Sequence, residues 1–469
     1  MGFLKEFLEE VSEQFLENYL KEFSEESFGL KKSLDIFQAK YLEGFLAVVL
    51  KGLEKFLMGF LKEFLEEVSE QFLENYLKEF SEESLGLKKS LDIFQAKYLE
   101  GFLAPDLIIK YGYEVKSHSV TTEDGYELTM FRILPRQPTE TKKLPVLMVH
   151  GLMSSSVDFI IIGPNNSLAY LLADNGYDVW LANARGTRYS RKHSTLSVDS
   201  EEYWSFSWHE IGYYDLPAKI DYILNTTSSN KLQYIGFSQG TTAFFVMGST
   251  RPEYNDKIAL MIALSPAVLI RRFRSPIVWL IVEALKEIKR RKIPYGNFEI
   301  VPHSYLSYYI VQVICAEDDP NNVCYKFISL FTGFDPDGYD QKLITEYSGH
   351  FPAGASINQF IHYAQVYTNN GFQQYDYGRK QNIQRYGTKK PPVYNLKLVT
   401  APILMYYGLN DWLVHPQDVL DLVKKLPRVI AAKQVTDERF NHIDFIAAKN
   451  VRSLLYDQVI EAMEEYNQN

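Results

Sequence analysis

The chain has 469 residues, 46% of them apolar and 23% charged, with a formal net charge of -10. That composition supports a large buried core and excludes an intrinsically disordered chain. There is no basic excess to fit nucleic acid, and no run of 18 apolar residues to cross a membrane.

The acidity sits at the front. Residues 1–104 hold 12 Lys against 21 Asp and Glu, whereas the remainder holds 37 Lys and Arg against 38 acids. Residues 1–47 and 58–104 are copies that differ only at Phe28 and Leu85. Apolar residues such as Phe3, Phe7, Val11, Phe15, Tyr19 and Phe23 recur about every four positions, so each copy reads as an amphipathic helix broken near Gly29 or Gly86. A period of four overshoots 3.6, so the stripe drifts around the helix. The readings are a helical hairpin, a lipid-surface anchor, a duplication without function, or an error in the predicted gene. The Glu-rich polar face argues against anionic membranes. No basic region precedes an apolar one, so no signal peptide is read.

The texture changes at Pro105. Residues 113–134 read as a β-hairpin with Asp124-Gly125 at its turn. Short apolar strands follow at 145–151, 177–182, 232–237, 258–264, 402–408 and 429–435, with helical patterns at 166–175, 213–226, 239–250 and 443–466. This alternation predicts an α/β fold with a mostly parallel sheet covered on both faces by helices. It lapses between 269 and 392, an aromatic, mostly helical stretch between two core strands. That stretch reads as an inserted cap or lid, and 105–268 with 393–469 as the core. Within it, 275–292 has an apolar part and a basic end, which suits packing within the cap or contact with a lipid surface.

The strand LQYIGF runs into SQGTT, so Ser238 stands at a strand-to-helix junction with Gly236 and Gly240 on either side. A serine there needs a sharp turn. The glycines remove side chains that would collide as strand and helix close up, which is the logic of a nucleophile elbow. Its partners are expected in the chain order acid, then His. Asp411 follows the strand at 402–408, and His442 follows the strand at 429–435. Both fall at strand C-terminal ends, where ligand and catalytic groups gather in open α/β sheets. Asp444 and His415 are rivals, reading respectively as a helix-start residue and a loop residue. The oxyanion donors are expected from the backbone N–H groups of Gln239 and of Leu152 in HGLMSSS. His150 reads as a loop-shaping residue.

These strings, with GPNNSLAYLLADNGYDVWLANARGTRYSRKH (163–193), YWSFSWHEIGYYDLPAKIDYIL (203–224), GHFPAGASINQFIHYAQ (349–365), GLNDWLV and NHIDF, resemble the acid lipase family: gastric and lysosomal acid lipases and their insect relatives. The resemblance runs from about Pro105 to the end. It implies an α/β-hydrolase, with the family's triad on Ser238, Asp411 and His442 and its oxyanion donors on Leu152 and Gln239. The family usually has His where this chain has Phe237, and has no counterpart of the repeat. The resemblance implies hydrolysis of neutral lipid esters, such as triacylglycerol or cholesteryl ester, at an emulsion or membrane surface. No metal, cofactor or protein partner is implied. The alternatives are an esterase for small soluble esters and a non-catalytic lipid-binding protein; the intact triad disfavours the latter. Cys315 and Cys324 have a spacing similar to the family's cap disulfide. Asn165-Asn166-Ser167 and Asn225-Thr226-Thr227 are N-glycosylation sequons. Together these favour a secreted or lysosomal lumen over an intracellular, lipid-surface location.

Overall fold

The computed structural model describes residues 103–136, 143–291, 296–300 and 323–467. Residues 1–102, which hold all but the last two residues of the N-terminal repeat, and Cys315 lie outside the described residues.

After helix α1 (Ala104–Lys110), the alternating segments 115–121 and 126–133 form the antiparallel strands β1 (Val115–Thr121) and β2 (Tyr126–Ile133). Gly125 turns the hairpin at φ 95°, a left-handed conformation that glycine adopts without strain. The apolar runs then form β3 (Val146–Val149), β4 (Val179–Ala182), β5 (Leu232–Phe237), β6 (Ile258–Leu264), β7 (Ile403–Tyr407) and β8 (Val429–Gln434). Their order across the sheet is β1-β2-β4-β3-β5-β6-β7-β8, and every neighbouring pair from β4 to β8 is parallel. A two-residue strand, Lys192–His193, also pairs with β2.

Strands β3 to β6 are buried at every position, because both faces are covered. Successive side chains point to opposite faces. Thus Leu260, Ile262 and Leu264 of β6 join one buried cluster, with helices α1 and α2 (Leu168–Asp174). Met261 and Ala263 join another, with α3 (Leu216–Thr227) and α4 (Gln239–Thr250). Met148 and Leu147 of β3 divide in the same way.

Between β6 and β7 the chain leaves the sheet. The described part of this stretch contains α5 (Pro276–Arg291), α6 (Val323–Thr332), α7 (Gln341–Ser348), α8 (Ile357–Asn369) and α9 (Arg379–Tyr386). Helix α5 packs against α6 and α8, with Val282 buried and Trp279 exposed. Packing within this region and an outward aromatic therefore coexist on one helix. The chain returns through buried Tyr394, Leu396 and Val399.

After β7 comes α10 (Pro416–Val423). The C-terminal helix expected over 443–466 is interrupted. A short helix spans Asp444–Ala447, Ala448 is extended, and a π-turn at Arg452–Tyr456 leads into α11 (Asp457–Glu465). The apolar pattern continues across the break. However, Lys449 donates its N–H to the Gly338 carbonyl, which draws the chain out of helical geometry. Among the described residues no helix is long and apolar enough to cross a membrane.

Candidate active site

The strand ends build the site. The Ser238 N–H donates to the Leu264 carbonyl, the Ser265 N–H to Tyr406, and the Val435 N–H to Tyr407. The sheet's ladder thus extends past each strand's last residue and fixes the turns that follow.

Ser238 caps the N-terminus of α4 at φ 50° and ψ -115°. A non-glycine residue with positive φ costs on the order of 1–3 kcal/mol, so its neighbours must hold it. Their smallness is what allows the turn. A Cβ on Gly236 would lie 2.9 Å from the Gly240 carbonyl carbon, and one on Gly240 would lie 2.1 Å from the Val149 oxygen. Tyr234 donates its hydroxyl to the Gly240 carbonyl at 2.7 Å, tying strand to helix. Ala normally improves on Gly in a helix by about 1 kcal/mol. Here the clash is with backbone and reverses the sign: Gly240→Ala is expected to lower Tm by roughly 5–10 °C. Thermal unfolding followed by circular dichroism measures it.

The Ser238 Oγ lies 3.0 Å from His442 Nε2, and His442 Nδ1 lies 2.9 Å from Asp411 Oδ2. Asp411 follows β7 and His442 follows β8. The other carboxylate oxygen, Oδ1, accepts the N–H groups of Leu413 at 2.9 Å and Val414 at 2.8 Å. His442 and Asp411 are buried. Phe237, which stands where the resembled family usually has His, lies 5.1 Å from the His442 ring, centre to centre. Its role is packing beside the imidazole.

The rivals lie elsewhere. Asp444 Oδ2 accepts the Asn441 N–H at 2.6 Å, which shapes the loop carrying His442, and burial pushes its carboxyl up to about 7. His415 caps α10 through the Gln417 N–H and meets Arg274 through Nε2.

The loop after β3 runs beside Ser238. A Cβ on Gly151 would come within 3.2 Å of the Phe237 ring and 3.4 Å of Ser238 Cβ. Among the described residues, no hydrogen bond within the protein uses the N–H of Leu152 or of Gln239. His150 shapes this loop. Its Nδ1 faces the Gly151 carbonyl at 2.7 Å and its Nε2 accepts the Ala184 N–H at 3.1 Å, which together require the neutral Nδ1–H tautomer. Burial holds the imidazole down at about 4. The folded state therefore binds fewer protons than the unfolded state between about pH 4 and 6.5. The stabilisation is complete above 6.5 and is lost as pH falls through that window. The Tm advantage of wild type over His150→Asn is expected to be several degrees at pH 7 and to shrink steadily towards pH 4.

Asp158, which sequence reasoning passed over, lies beneath the same loop. It accepts the Gly151 N–H at 3.3 Å, the Ser154 hydroxyl and, from α7, the Tyr347 hydroxyl at 3.2 Å. Burial pushes its carboxyl up to about 6, against the pull of those hydrogen bonds. Arg185 was missed too. It is fully buried, in two-pronged contact with Asp124 and paired with Asp215. It joins the β1–β2 turn to the start of α3.

The region between β6 and β7 is tied to the site. Gln359 of α8 donates to the Gln239 side chain at 3.1 Å, and the Ala353 N–H to the Met153 carbonyl at 2.6 Å. His362 stacks on Trp208 with ring centres 3.5 Å apart. Trp279, Phe298, Leu330 and Phe334, all between β6 and β7, are exposed.

The chain is similar to known proteins along most of this length. Residues 104–163 match the family described as the partial alpha/beta-hydrolase lipase region, and residues 145–304 match the alpha/beta hydrolase fold. Lipase 1 of Drosophila melanogaster is 42% identical over 361 residues, covering 76% of this chain and 78% of that one. Lipase 3 of the same fly is 40% identical, covering 76% and 91%. Gastric triacylglycerol lipase of Mus musculus is 38% identical, covering 76% and 91%. The chain therefore belongs to the lipase family of α/β-hydrolase fold, and it is an ester hydrolase.

Proposed function

We propose that the protein hydrolyses carboxylic esters of neutral lipids at a lipid–water surface, with Ser238, His442 and Asp411 as its catalytic triad. The observation that carries this reading is the continuous hydrogen-bonded line from Ser238 Oγ through His442 to Asp411 at three strand ends. His442 Nε2 takes the hydroxyl proton as Oγ attacks the ester carbonyl carbon. The carbonyl π electrons move to the oxygen, which is received by the N–H groups of Leu152 and Gln239. Collapse of the tetrahedral intermediate expels the alcohol, protonated by His442, and leaves an acyl-Ser238 ester. Water, deprotonated by the same imidazole, releases the fatty acid and restores the serine. Asp411 keeps the Nδ1–H tautomer and stabilises the imidazolium.

Residues 269–392 act as the cap. The exposed Trp279, Phe298, Leu330 and Phe334 support contact between this region and a lipid surface, and the likeness to a gastric triacylglycerol lipase supports a long-chain substrate. A secreted or lysosomal setting is supported by the exposed Asn165 and Asn225 of the two sequons. A Cys315–Cys324 disulfide in the cap is part of the same reading.

The test is hydrolysis of emulsified long-chain triacylglycerol beside a soluble short-chain ester. Emulsion activity greater than that on the soluble ester is expected. Activity on the soluble ester alone would make the protein an esterase. Activity on neither would return it to lipid binding.

A further inference from the structure

The triad is drawn from β5, β7 and β8, yet β6 lies between the first two of these. Its own C-terminal end carries Ser265, so four consecutive parallel strands each deliver one residue to the same place: Ser238, Ser265, Asp411 and His442. Ser265 is fully buried. Its hydroxyl donates to Asp411 Oδ2 at 2.6 Å, and its oxygen lies 3.0 Å from His442 Nδ1. The hydroxyl proton is committed to the carboxylate, so the oxygen's lone pairs face the Nδ1–H. Asp411 then accepts four hydrogen bonds, two on each oxygen, and the imidazole has both an acceptor carboxylate and a flanking hydroxyl to fix its plane.

The backbone around Ser265 is shaped for this. Its φ is 50°, which a non-glycine residue keeps only when surrounding contacts impose it. They do so from both sides: the Ser265 N–H donates to the Tyr406 carbonyl, and the Ala267 N–H to the Thr241 hydroxyl. Thr241 in turn donates to the Ser238 carbonyl at 2.5 Å. The turn bearing Ser265 is therefore bonded both to the nucleophile's own turn and to the strand that carries the acid.

We propose that Ser265 is a positioning residue of the catalytic reaction, acting through Asp411 and His442 rather than on the substrate. Its hydroxyl orients the carboxylate so that Oδ2 meets Nδ1–H, and its oxygen limits rotation of the imidazole while the proton moves at Nε2. The inference rests on the triad reading above.

Wild type, Ser265→Ala, Ser265→Gly and Ser238→Ala are assayed on p-nitrophenyl butyrate, a soluble ester that removes interfacial effects. Both Ser265 variants lack the hydroxyl, but glycine accepts positive φ freely whereas alanine does not. The expected result is a roughly tenfold fall in kcat in both, the size of one lost hydrogen bond to a charged group. KM should stay within about twofold, because the lost contact acts on the chemical step and not on binding. The two variants should differ in Tm, with glycine the higher. Unchanged kcat in both would overturn the proposal. So would a loss in alanine that glycine restores, which would trace the effect to backbone strain, or a rise in KM alone. Activity that survives Ser238→Ala would overturn the triad reading itself, and the Ser265 proposal with it.

Discussion

Ser238→Ala is expected to reduce ester hydrolysis by on the order of 10⁶-fold, to the level of the assay blank. Among the described residues the side chain hydrogen-bonds to His442, so the substitution removes the proposed nucleophile and little else. Alanine must adopt the same φ of 50°, a strain serine already bears, so Tm should move by no more than about 2 °C. Adsorption to triacylglycerol droplets should be unchanged, because the exposed aromatics of the proposed cap are untouched. Droplet pull-down beside fatty-acid release checks both halves. A variant that neither cleaves nor adsorbs would mean that Ser238 supports the fold rather than the reaction.

Asp411→Asn is expected to lower kcat by roughly 10⁴-fold at neutral pH while the protein remains folded. The reason lies in the two backbone donors. Leu413 and Val414 point their N–H groups at Oδ1, so the amide oxygen of an asparagine must settle there. Its NH₂ then replaces Oδ2 and faces His442 Nδ1. A donor at that place forces Nδ1 to accept, the ring proton moves to Nε2, and the imidazole can no longer take a proton from Ser238. Steady-state kinetics on the soluble ester, with a folding control by circular dichroism, reads this directly. A loss below tenfold would show that the tautomer is fixed by something other than Asp411.

Much of the architecture follows from patterns visible in the chain. Continuous apolar runs such as IALMIAL announce strands buried on both faces. GFSQG announces its turn because the geometry needs two missing side chains. The meeting of Asp411 and His442 with Ser238 was legible from chain order and from their places just beyond two late strands, which set them above Asp444 and His415. Ser265 was not. LSPAV reads as an ordinary strand ending in a turn, and neither its positive φ nor its closeness to Asp411 leaves a mark in local sequence. Asp158 was hidden for a similar reason, since a polar residue after HGLMSSS looks like surface loop until Tyr347 arrives from α7. The break at Ala448 escaped because the apolar spacing runs straight through it. What stops that helix is a contact with Gly338, more than a hundred residues earlier.

The long excursion between β6 and β7 bears on how such a protein can change over time. The two strands are parallel neighbours, so the chain must leave at the C-terminal end of one and re-enter at the N-terminal end of the other. The return leg through Tyr394, Leu396 and Val399 already provides that crossing as part of the core. The parts before it that make no contact with the core are free to vary in length, and doubling a loop costs only about 0.6 kcal/mol in closure entropy. Lineages can therefore lengthen or trim the loops of this excursion at little thermodynamic penalty, provided that anchors such as Tyr347 and Gln359 stay in place. The residues proposed for the chemistry, seated on the strand ends beneath, need not alter as the range of accepted esters drifts.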